Sequence, residues 1–81
     1  MSILKGLGLF NLPPRIRNHA LTHLSRLIMA PDARTLEREQ VSADGFVEGL
    51  AASRVLTPAT IEELYSAVEE VAADRLKELG L

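Results

Sequence analysis

All four prolines of this chain stand at positions 13, 14, 31 and 58, and that placement constrains the fold more than any other feature. Proline suits the first turn of a helix, where its missing N–H has no partner to lose, and it breaks a helix interior. The chain is thereby cut into the proline-free stretches 15–30, 32–57 and 59–81. Each stretch carries apolar residues at helical spacing.

The first helix is predicted over 14–30, opening at Pro13-Pro14 and closing before Pro31. Ile16, Ala20, Leu21, Leu24, Leu27 and Ile28 share one face of it. Arg15, His19, Thr22, His23 and Arg26 recur one turn apart on the other, so this helix is amphipathic with a basic, solvated face.

Pro31-Asp32 can open the middle helix. An unbroken helix from Asp32 to Ser53 places Leu36, Ala43, Phe46, Val47 and Leu50 in one stripe. Ser42, Asp44 and Gly45 favour a break and a shorter helix starting near 42–44. The continuous form is the preferred one.

The third helix has the clearest signals. Thr57 supplies a capping hydroxyl before Pro58 at the first helical position, and Gly80 is suited to end the helix. Ile61, Leu64, Tyr65, Val68, Val71, Ala72, Leu76 and Leu79 form its apolar side. Glu62, Glu63, Ser66, Glu69, Glu70, Asp74, Lys77 and Glu78 form its polar side. The short connection between residues 53 and 58 makes 32–79 an antiparallel helical hairpin. The expected core is Ile16, Leu24, Leu27, Phe46, Leu50, Ile61, Leu64, Val68 and Leu76.

The fold class is therefore all-α: one small three-helix domain over 1–81, preceded within it by an irregular apolar segment, 1–13. Composition agrees, since 47% of residues are hydrophobic but there are only two Phe, one Tyr and no Trp. Aliphatic side chains and alanine must then make the core, as they do between packed helices. A single core in so short a chain gives only about 3–5 kcal/mol of net stability. Cysteine is absent, which excludes disulfides and thiolate sites, so dimerisation is the expected way to complete the core. No apolar run reaches the ~20 residues needed to span a bilayer. The leading apolar segment has two glycines and no small-residue cleavage site, so the chain is expected to be cytoplasmic.

Charge is sharply divided. Residues 1–31 hold four bases and no acid, whereas 32–81 hold eleven acids and five bases, for a net charge of −2 overall. Such asymmetry implies a charged partner or a self-complementary assembly. It does not suggest catalysis. His19 and His23 are spaced i, i+4, as two metal ligands on a helix would be, but no third ligand accompanies them and Arg15, Arg17 and Arg26 repel a cation. No serine lies in a nucleophile-elbow setting, Gly6-Leu7-Gly8 is no phosphate loop, and the paired glutamates project from a polar helix face. The chain reads as no enzyme, with no cofactor or metal.

Two partner classes remain. The basic helix could track phosphates of DNA or RNA. Against this stand the lack of interleaved aromatics, a single amide (Asn18) to read base edges, and a pI of about 5.6. A membrane-surface role, with Ile3, Leu4, Leu7, Leu9 and Phe10 inserted, has only four bases and a helix with a small apolar face to support it. The favoured partner is another protein, or a second copy, contacted by Leu7, Leu9, Phe10, Arg15, His19, His23 and Arg26.

Asp44-Gly45-Phe46-Val47-Glu48-Gly49-Leu50, followed by Val55-Leu56-Thr57-Pro58, Ile61-Glu62-Glu63-Leu64 and the closing Asp74-Arg75-Leu76-Lys77-Glu78-Leu79, resembles the helical hairpin of short phage- and prophage-encoded accessory proteins. The similarity covers residues 42–79. It implies a protein that binds and blocks a host protein. Arg54 stands where that pattern commonly has a helix-ending glycine, and no functional residue carries over.

Overall fold

A computed structural model describes residues 12–80. They form three helices and, among the described residues, no strand: α1 (Pro14–Met29), α2 (Ala33–Ser53) and α3 (Pro58–Glu78). Leu7, Leu9 and Phe10 lie outside the described residues.

The punctuation acts as its chemistry dictates. Pro14 occupies the first turn of α1, and the chain leaves that helix at Ala30, just before Pro31. The Asp32 carboxylate caps α2 by accepting the Thr35 N–H at 2.7 Å. This bond holds the Asp32 carboxyl below its usual pKa, with Arg38 and Arg34 contributing less. The Thr57 hydroxyl caps α3 by accepting the Thr60 N–H at 3.2 Å. Gly80 ends the α3 segment with φ 81°.

α2 is continuous through Ser42, Asp44 and Gly45. A mid-helix glycine costs only about 1 kcal/mol relative to alanine. Burial of Ala43 and Val47, with Phe46 and Leu50 packed beside them, outweighs that cost.

Ala33–Gln40 of α2 faces Glu69–Leu76 of α3, and Val41–Glu48 faces Tyr65–Glu69. The pair is therefore the antiparallel hairpin that its short connection requires. α1 lies across one side of it. Ala20 and Leu24 share a cavity wall with Leu64 and Val68, while the Ala30 carbonyl accepts from Arg75 Nε at 2.9 Å. Thus α1 runs parallel to α3 and antiparallel to α2.

The core is thin. Among the described residues five of the fourteen buried ones are alanine, and Leu27 and Val47 are the largest side chains that are fully enclosed. Small residues let the helices approach closely but bury little apolar area each.

Three sequence expectations change. Leu76, expected in the core, is 39% exposed, because it sits on the side of the hairpin that α1 does not cover. Leu21 and Ile28, grouped with the buried face of α1, are 38% and 50% exposed. His23, assigned to the solvated basic face, is half-buried. The last two share one cause. α1 contacts both α2 and α3, which centres its buried arc on Ala20, Leu24 and Leu27 and rotates it toward His23. Ile16, Phe46 and Leu50 pack against the core as partly buried residues rather than inside it.

Candidate functional site

The surface with most chemical character lies between α2 and α3, on the side away from α1. It is an open groove formed by two adjoining depressions that share Glu69. Leu36 and Ala72 are buried in its floor. Tyr65 is half-buried along it, and Val41 and Leu76 stand 68% and 39% exposed at its edges.

The groove is open because small residues line it. Ala33, Ala72 and Ala73 flank one half, and Gly45 lies in the other. A Cβ added at Gly45 would meet no heavy atom within 4 Å. Glu37, Asp44 and Glu48 come from α2 and Glu69 from α3, and among the described residues no Lys, Arg or His lines the groove. Burial pushes the Asp44 carboxyl above its ordinary pKa, and the negative charge of Glu69 adds to the effect. The groove is thus an apolar floor inside a ring of carboxylates.

α1 presents the opposite sign. It carries Arg15, Arg17 and Arg26 and no acidic residue. Arg15, His19 and Arg26 are exposed, and Arg17 is half-buried. His23 turns inward to stack on Phe46, with ring centroids 4.8 Å apart and planes inclined by 27°. His19 lies farther from the same ring, 6.1 Å away at 44°.

The His23 Nδ1 is buried and has no hydrogen-bond partner among the described residues. Beside it is a cavity of about 10 Å³ whose other walls are all hydrophobic, among them Ala20, Ala43 and Leu64. A water there would need two to four polar partners, and the walls offer one. Burial is the first cause lowering the His23 pKa below its ordinary value. Arg26 and His19 also lower it, and Glu39 opposes them. His23 therefore acts as a neutral aromatic packing residue. Among the described residues no group of three His, Cys, Asp or Glu side chains converges as metal ligands would.

The sequence-assigned partner residues thus divide. Arg15, His19 and Arg26 lie together on the exposed side of α1, and His23 is drawn into the seam with α2. The groove was not singled out from sequence. Val41 was its available signal, an apolar residue outside the α2 stripe that no described residue covers. Asp44 and Glu69 gave none, because their approach depends on hairpin register. Among the described residues no helix is long and apolar enough to cross a membrane. Comparison with known protein families, characterised proteins and solved structures finds no match to this chain.

Proposed function

We propose that this chain is a non-enzymatic protein–protein interaction module whose hairpin groove receives a basic amphipathic helix. The observation that carries this is the apolar floor with exposed Val41 and Leu76 inside a rim of Glu37, Asp44, Glu48 and Glu69. Helix-in-groove recognition needs these parts: apolar anchors on one helix face, and flanking charge that sets orientation. The resemblance of residues 42–79 to phage accessory proteins implies a host protein as the partner, held and blocked. A cytoplasmic location follows from the same reading.

The competing role, DNA or RNA binding through α1, is weakened by the placement of His23. With His23 stacked on Phe46, the exposed basic side chains of α1 reduce to Arg15, His19 and Arg26, while four carboxylates repel phosphate from the opposite side.

Retention of proteins from a bacterial lysate by the immobilised chain, with and without nuclease, tests the two roles. Discrete proteins retained after nuclease by the wild type, and lost with Val41→Lys/Glu69→Lys, are expected. Bulk nucleic acid retained at about 150 mM salt, and lost when Arg15 and Arg26 become alanine, would refute the protein-binding role. Phosphate binding should then fall roughly 10³-fold or more between 50 and 200 mM salt for six contacts.

A further inference from the structure

One helix with the properties the groove selects is α1 itself. It carries three arginines and no acid. On its outer edge Leu21 and Ile28 are 38% and 50% exposed. They are seven residues apart, which returns them to nearly the same face of a helix, and Arg17 lies one turn before Leu21.

This edge cannot reach the groove of its own molecule. Leu24 and Leu27 bind α1 into the core from one side of the hairpin, its C-terminal end is held by the Arg75–Ala30 hydrogen bond, and the groove opens on the other side. A second copy can reach it. Symmetric pairings are opposed by charge: groove on groove sets four carboxylates against four, and α1 on α1 sets arginines against arginines. Only the unlike pairing joins opposite signs.

We infer that the groove docks the α1 outer edge of a second copy, giving head-to-tail self-assembly. Leu21 and Ile28 sit over the apolar floor near Val41 and Leu76, and Arg17, the arginine beside this edge, meets Glu48 and Glu69. Because donor and acceptor surfaces lie on different sides of one molecule, the contact is heterologous. Each docking event leaves one free groove and one free α1, so assembly continues past the dimer unless a ring closes. The inference rests on the groove-binding role proposed above and names its first occupant. A foreign basic helix would compete with self-assembly for the same groove.

Sedimentation velocity of the full chain is the test, over about 10–300 µM protein and about 50–500 mM salt. Two variants are needed, both at exposed positions: a groove variant, Val41→Lys/Glu69→Lys, and a helix variant, Leu21→Glu/Ile28→Glu. The wild type should grow past the dimer with concentration and dissociate with salt. Each variant alone should be monomeric with wild-type helicity. Their equimolar mixture should form a one-to-one complex and nothing larger, since each supplies one intact surface. Should either variant lose helicity, Glu48→Lys or Ile28→Glu alone replaces it. A monomeric wild type at the highest concentration, a variant that self-associates alone as the wild type does, or a mixture that stays monomeric overturns the inference. Titration with a synthetic Arg/Leu amphipathic helix separates the two claims. Peptide binding to a monomeric wild type and not to the groove variant removes self-docking and leaves the groove role standing. Absence of both removes both.

Discussion

Replacing Arg54 by glycine should stabilise the protein. α2 ends at Ser53, and Arg54 takes φ 58° and ψ 29°, the left-handed region in which an L side chain places its Cβ against the following carbonyl. That clash costs about 1–2 kcal/mol. The Arg54 N–H donates to the Ala51 carbonyl at 3.2 Å, and the left-handed conformation turns the backbone that follows toward Thr57 and α3. Glycine removes the clash but frees the unfolded chain, which costs about 0.4–1 kcal/mol in the opposite sense. The Arg54 side chain is exposed, so its loss removes little packing. The net expectation is a gain of about 0.5–1 kcal/mol. For a domain of this size that raises Tm by roughly 2–8 °C. Thermal unfolding followed by circular dichroism reads the shift, with Arg54→Ala as control because alanine keeps the Cβ. A glycine variant no more stable than the alanine variant would refute the claim that left-handed geometry at Arg54 closes α2.

Leu27→Ala should remove about half or more of the protein's stability. Its side chain is 0% exposed, and emptying such a site costs about 2–5 kcal/mol against a net stability of about 3–5 kcal/mol; a loss under about 1 kcal/mol contradicts the packing described. Gly49→Ala should add about 0.5–1 kcal/mol, because a Cβ there meets nothing within 4 Å; a lower urea midpoint would show an unrecognised contact. Acid should weaken the seam between α1 and α2. The folded pKa of His23 is lowered from 6.5, so the unfolded chain takes the proton first. The stabilising effect is complete above pH 6.5 and is lost as pH falls from there through the lower folded value. Arg26 and His19 on α1 and Glu39 on α2 bear on this titration, and α3 presents only Leu64, Ala67 and Val68 to the cavity beside His23. His23→Phe should flatten the fall in Tm between about pH 7.5 and pH 5; equal slopes for the two proteins would exclude His23 as its source.

Local signals determined most of the fold. The prolines, the Asp32 and Thr57 caps and Gly80 mark every helix end but the C-terminus of α2, because each acts on backbone groups within a few residues, where no distant contact is needed. α2 closes at Arg54, whose left-handed backbone no residue type announced. The amphipathic period likewise identified Leu24, Leu27, Ile61, Leu64 and Val68 as core. Continuity of α2 was less legible: Ser42, Asp44 and Gly45 are poor helix formers by local propensity, and burial of Ala43 and Val47 overrode them.

What the tertiary structure alone decided is how each helix is turned and what is left uncovered. A helical wheel gives the width of an apolar face, but its centre is set by the neighbours that touch it. Contact with both α2 and α3 rotated α1 so that His23 went in against Phe46 while Leu21 and Ile28 stayed out. One helix can cover only one side of a two-helix hairpin, so Leu76 and Val41 remain at an open groove. The register of that hairpin brings Asp44 of α2 beside Glu69 of α3, residues far apart in the chain. Charge segregation was visible in the sequence from the start. That the two signs lie on different sides of the bundle, where one molecule cannot neutralise itself, followed only from the packing.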